Sequence, residues 1–217
     1  MGAFGIDVSS LQGNVEWPEV KRAGVGFAML RAGFGSGSID VQFRRNAQEC
    51  ARNGIPFGAY WLSYACAPEM AREEARQCLE IMEDYQVAYP VCIAFGQDSV
   101  RYVRSRGVTV TRELATRIVE AFCGRVEEAG CSAMYYSGPD FLERMFDGRL
   151  REKYALWFAG DAGRAGDGDI AMWQYSRRGK VSGIDGDAGL DLAFCGGSGN
   201  RGRSHREHYL KKSYSVS

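Results

Sequence analysis

The 217-residue sequence predicts a single-domain α/β fold of the irregular, TIM-like (β/α) barrel kind. Three observations lead there. Short apolar runs alternate with helical patterns through most of the chain. The last three apolar runs follow one another with no long helix between them. Glycines stand where the helices must stop. Eight candidate strands with helices only between the early ones suit a barrel whose second half is stripped down. An open doubly wound sheet is the alternative arrangement.

The elements follow in order. GAFGIDVS precedes WPEVKRAG, FAMLRAGF precedes VQFRRNAQECARNG, and PFGAYWLSYA precedes APEMAREEARQCLEIMEDY. PVCIAFG then leads to TRELATRIVEAFCGRVEEAG, and SAMYYS to DFLERMF. In the third helix Ala71, Ala75, Cys78, Leu79 and Met82 recur near a 3.6-residue period, with Pro68 suited to the first turn. Gly24, Gly54 and Gly130 end helices at no steric cost. YALWFAG, AMWQYS and GLDLAFC complete the strand set.

Composition narrows the function. Hydrophobic residues make up 45% and charged residues 25%, an ordinary globular balance. No run of about 18 apolar residues appears, so no membrane span is expected. The opening MGAFGIDVSS has no secretory leader pattern, and Ile6 breaks the myristoylation pattern. Synthesis in the cytoplasm is expected. Formal charge is zero, yet residues 196–217 hold Arg201, Arg203, Arg206, Lys211 and Lys212 against Glu207 alone. The body, 1–195, is therefore acidic, which argues against nucleic acid as a partner. The Gly/Ser-led tail is expected to be a basic, disordered extension. Seven cysteines lack disulfide or CxxC metal spacing, and both histidines, His205 and His208, lie in the tail. A His-based nucleophile or metal site in the body is thereby excluded.

Barrel chemistry sits where the strands end. Those ends offer Asp7, Arg31, Tyr60, Trp61, Tyr64, Tyr135, Tyr136, Trp157, Trp173, Gln174 and Tyr175. Aromatics usually pack, but rings gathered at successive strand ends suit the apolar faces of sugars. GFGSGS after the second run fails the dinucleotide pattern at Ser38, and no helix starts there to receive a pyrophosphate. The stretch PVCIAFGQDS is odd: at a strand end it offers Ala94 and Gly96, neither of which carries chemistry.

GIDVSSLQGNVEWPEVKRAGVGFAMLRAGFG, then Asp40 with Phe43 and Asn46, then GIPFGAYWLSYA, then WQYSRRGKVSGIDG resemble glycoside hydrolase family 25, the lysozymes or N-acetylmuramidases of bacteria, phages and fungi. The similarity runs over roughly residues 3–195. It implies an irregular β/α barrel that cuts the β-1,4 bond between N-acetylmuramic acid and N-acetylglucosamine in peptidoglycan, with no cofactor and no metal. Peptidoglycan glycan strands are the implied partner, with action at the cell wall or outside the cell after release, and a monomer is expected. Arg31, Asp40, Tyr60, Trp61, Tyr64, Tyr135, Trp157, Trp173, Gln174 and Tyr175 would bind substrate.

The resemblance also implies acids that this chain lacks. Asp7 matches the acid of the GIDVS motif. The D-x-E acids of the fourth strand fall on Ala94 and Gly96, and the last-strand Asp falls on Gly189, with Asp191 at the following polar position. Glycoside cleavage needs a proton donor for the leaving oxygen and an anion facing the developing positive charge. Possible substitutes are Asp98, Asp187 and Asp191. Side chains alternate along a strand, so 94, 96 and 98 are expected to face one way, with Asp98 roughly 6–7 Å beyond Gly96. Asp98 is otherwise expected to be a cap or turn residue. Three functions follow: a glycan-recognising barrel impaired in hydrolysis, an active muramidase with relocated carboxylates, or an interaction barrel without sugar affinity.

Overall fold

In the computed structural model, residues 2–161 and 170–194 are described. The expected basic tail lies outside them. Nine strands form one sheet: β1 (Ala3–Val8), β2 (Phe27–Phe34), β3 (Ser38–Ile39), β4 (Phe57–Leu62), β5 (Val91–Ala94), β6 (Ala133–Ser137), β7 (Ala155–Ala159), β8 (Ile170–Gly179) and β9 (Ala188–Ala193). Eight of them close a barrel in the order β1, β2, β4, β5, β6, β7, β8, β9, and β3 adds a short antiparallel flap to β2. Neighbours are parallel except β9, which runs antiparallel to both β8 and β1. Seven of the eight strands therefore obey the expected parallel pattern. The last cannot, because the short link from β8 leaves room only for a hairpin.

The helices are α1 (Trp17–Arg22), α2 (Phe43–Arg52), α3 (Pro68–Met82), α4 (Gln97–Ser105), α5 (Arg112–Glu128), α6 (Pro139–Met145) and α7 (Arg149–Lys153). α3 buries Ala71, Glu74, Ala75, Cys78, Ile81 and Met82, close to the face its periodicity predicts, and packs on α5. α4 and α7 are not among the elements the periodicity predicts. Both are short, and α4 buries only Ser99, Val100 and Val103, too little apolar signal to stand out.

Two apolar layers result. Outward-pointing strand residues such as Ile6, Leu30, Ala59, Trp61, Ile93 and Tyr135 pack against the helices. Inside the barrel lie Phe27, Met29, Cys92, Met134, Trp157 and Met172. Gly5 is required there, since a Cβ on it would stand 2.3 Å from the Phe27 ring. The alternation that sends Ile6 and Val8 outward sends Asp7 into the mouth at the carboxyl ends of the parallel strands.

One buried ion pair fixes the first loops. Arg31 on β2 donates from Nε to Asp40 Oδ2 at 2.7 Å, with side chains 13% and 1% exposed. The same carboxylate accepts from the Ser10 amide at 3.0 Å and the Gln42 amide at 2.9 Å, and Arg31 also bonds Ser10 Oγ. Removing one partner of a buried pair strands the other charge, so Asp40→Ala should lower the unfolding free energy by about 3–5 kcal/mol in urea denaturation. A change below about 1 kcal/mol would mark the pair as a solvated one.

Candidate functional site

The barrel mouth is floored by a single hydrogen-bonded chain. Trp157 Nε1 donates to Asp191 Oδ1 at 2.8 Å. Asp191 in turn hydrogen-bonds the Asp7 carboxyl. Asp7 Oδ2 accepts from Gln174 Nε2 at 2.6 Å. Gln174 Oε1 accepts from the Tyr136 hydroxyl at 2.7 Å and from Arg177 Nε at 3.3 Å. These partners settle which end of the Gln174 amide is oxygen.

Two carboxyls in contact cannot both ionise. Asp191 has no exposed surface, and its titration is driven up first by burial and then by the Asp7 charge. Its Oδ2 is buried and receives no N–H or O–H donor, so nothing there favours the charged form. Asp7 is also raised by burial, against the pull of Gln174, Asp191 and the Arg177 charge. The pair thus holds one negative charge, on Asp7, with Asp191 as its donor. Burial raises the Tyr60 hydroxyl, reinforced by the Asp7 charge, and pushes Tyr136 up to about 12. Both phenols stay neutral donors.

The positions named for acids are now visible in space. Asp7 and Gly189 face each other across the β1–β9 pairing. A Cβ on Gly189 would lie 1.6 Å from Asp7 Oδ2, so the Asp7 carboxylate occupies the place of a side chain at 189. Ala94 lies level with Tyr136 at the end of β5. Gly96 is open, with nothing within 4 Å of a Cβ.

The expected alternation through 98 does not hold. β5 ends at Ala94 and α4 begins at Gln97 with Gly96 as its cap, so the period of two stops before Asp98. Asp98 sits in the first turn of α4 as an ion pair with Arg101, 57% exposed. The turn role is the one it has. Asp187 is 44% exposed and paired with Lys180 at 2.8 Å. Asp191 lies a layer below the mouth, opposite Gly5 and bonded to the buried Trp157.

Of the aromatics, Tyr60 and Tyr136 line the mouth and meet the Trp157 ring edge-on at 5.9 and 5.1 Å between centroids. Trp157 itself is 2% exposed and serves as floor. Trp61 and Tyr135 point the other way, into the layer beneath the helices, where Trp61 bonds Gly35 O and Tyr135 packs on Phe146. The substrate contacts expected of those two are corrected by the strand alternation. Asp40 is likewise buried, its carboxylate committed to Arg31 and the backbone. Trp173 bonds Gly160 O, and Tyr175 is exposed beside it. Tyr64 stacks on Tyr102 of α4 at 4.8 Å. Tyr102 and Arg177 escape the sequence reading, although Arg177 falls inside the WQYSRRGK stretch. Among the described residues, no three His, Cys, Asp or Glu side chains converge to hold a metal ion. No described helix is long and apolar enough to cross a membrane.

The model of the glycosyl hydrolases family 25 matches residues 6–184. The chain belongs to that family. The uncharacterized protein YegX of Escherichia coli K12 is 30% identical over 196 residues, 87% of this chain and 68% of YegX. The CTP1L endolysin superposes with a TM-score of 0.77 at 20% identity, over 95% of this chain and 70% of its own. The modular autolysin LytC of Streptococcus pneumoniae, in complex with a synthetic peptidoglycan ligand, gives 0.75 at 21%, over 89% of this chain and 47% of LytC. At those identities the two structures share the family-25 barrel with this chain.

The Tyr64 rim is set by Glu74, 2% exposed on α3, whose Oε1 accepts the Tyr64 amide at 2.9 Å. Burial raises Glu74 from 4.5 to about 7, against the Ser63 hydroxyl and the Tyr64 amide. A raised acid holds its proton in the folded state, so its contribution to stability is complete below about pH 4.5 and is lost as pH rises through about 7. Glu74→Gln should therefore flatten the fall of the urea midpoint across that window. An unchanged slope would mean that Glu74 is ionised in the folded protein throughout it.

Proposed function

We propose that this chain is a peptidoglycan-recognising domain of the lysozyme family that has lost, or nearly lost, hydrolysis. The observation that carries the reading is the strand end at β5, where Ala94 lies level with Tyr136 and Gly96 opens onto free space, neither with a carboxyl. A hydrolase there needs an acid against the leaving oxygen and a carboxylate for the developing cation. Asp7 supplies one anion and cannot serve as both. A positioned general acid is worth roughly 10²–10⁴-fold in rate.

Relocated carboxylates, the second reading, find little support. Asp98 and Asp187 are exposed and paired to Arg101 and Lys180. Asp191 carries the proton shared with Asp7 beneath Trp157, away from any glycan. Recognition, by contrast, is supported by what remains. Tyr60, Tyr136 and Gln174 offer hydroxyl and amide groups around the mouth, and the Tyr64–Tyr102 stack forms a flat rim. The LytC complex with its peptidoglycan ligand belongs to the same barrel type and supports the choice of polymer. Action at the cell wall follows from that choice.

The test is release of new reducing ends from purified peptidoglycan, run beside pull-down on the insoluble polymer. The protein should bind and release none above background. Ala94→Asp with Gly96→Glu should gain cleavage by at least about a hundredfold over that background. Adding Gly189→Asp should bring no further gain, because a side chain at 189 drives Asp7 from its bonds with Gln174 and Asp191. Cleavage by the unaltered chain would overturn the reading in favour of relocated acids. Failure to bind the polymer would leave an interaction barrel without sugar affinity.

A further inference from the structure

We propose that the mouth selects glycan carrying a free carboxylate, with Arg177 as the group that receives it; this rests on the glycan-recognition reading above. The anion envisaged is the lactyl carboxylate of muramic acid where no peptide is attached to it. In a peptide-bearing strand that group is an amide and carries no charge.

The inference comes from the balance of charges around the mouth. Arg31 is consumed by Asp40 at 2.7 Å and is 13% exposed. Asp7 and Asp191 share a proton, and the one charge left on Asp7 is held by Gln174 and Asp191 and drawn by the Arg177 charge. Ala94 and Gly96 add no negative charge at the end of β5. Arg177, near the end of β8, is exposed and always cationic. Among the described residues it forms no ion pair. Its Nε rests on Gln174 Oε1 at 3.3 Å, and its side chain also reaches the Tyr136 hydroxyl.

Those contacts aim the guanidinium. They use the Nε edge on a neutral amide and leave terminal N–H groups for a planar anion, the geometry in which arginine recognises carboxylates. Acids at 94 and 96 would add negative charge to the mouth and oppose an entering anion. Without them the mouth keeps one anion, Asp7, and the Arg177 guanidinium that pulls on it still has terminal N–H groups for a ligand. The absence of those acids thus favours an anionic ligand relative to a mouth that carried them. The neighbouring Lys180 is already paired with Asp187, which places the selectivity on Arg177.

The experiment is calorimetric titration of the full chain with two soluble muramyl oligosaccharides, identical except that one carries free lactyl carboxylates and the other carboxamides. The free acid should bind about tenfold tighter at low salt, and the gap should narrow as salt screens the pairing. Arg177→Gln should bring the two affinities together, Arg177→Lys should keep part of the gap, and Arg178→Gln should keep all of it. Equal affinities for the unaltered chain, or a gap that survives Arg177→Gln, would overturn the proposal. If neither oligosaccharide binds, the glycan-recognition reading falls and this proposal with it.

Discussion

The antiparallel closing strand is the constraint on which the site depends. A parallel last strand would approach the mouth with its carboxyl end. β9 instead enters at the mouth and descends, so Gly189 comes level with Asp7 and Asp191 lies below it, level with Gly5. That order stacks two carboxyls on one wall of the barrel. It also puts a residue without a side chain opposite the one acid that remains at the rim. Asp7 leans into that gap, and its bonds to Gln174 and Asp191 follow from the lean.

Electrostatics and packing reinforce each other from there. The barrel interior is apolar up to the level of Trp157, and a carboxylate beside it is costly unless paired or protonated. Asp191 meets that condition by keeping a proton and taking the indole N–H. Gln174 then links the charged wall of β1 and β9 to the phenol of β6 and the guanidinium of β8. One amide joins three strands directly, and a fourth through Asp7.

Much of this was legible in the sequence. The alternation of runs gave the barrel, the motifs gave the family, and the blank at Ala94 and Gly96 stood out because strand ends are where barrels keep their chemistry. What stayed hidden was direction. Trp61 and Tyr135 are next to Tyr60 and Tyr136 in the chain, yet strand alternation turns each pair to opposite sides of the barrel wall. The cap or turn role of Asp98 was legible, but the alternation expected through 98 was not met, because nothing in four apolar residues announces where a strand gives way to a helix. The Asp7–Gly189 approach pairs the first strand with the last, and no local pattern reports such a contact.

The open space at Gly96 bears on the history this barrel can have. One base change turns any glycine or alanine codon into an acidic one, so positions 94, 96 and 189 each stand a single genetic step from an acid. Those steps are not equally open. Nothing lies within 4 Å of a Cβ at 96, whereas at 189 the new side chain must first evict the Asp7 carboxylate. A carboxyl at the helix-capping position can therefore arise without disturbing the fold, whereas one on the closing strand cannot.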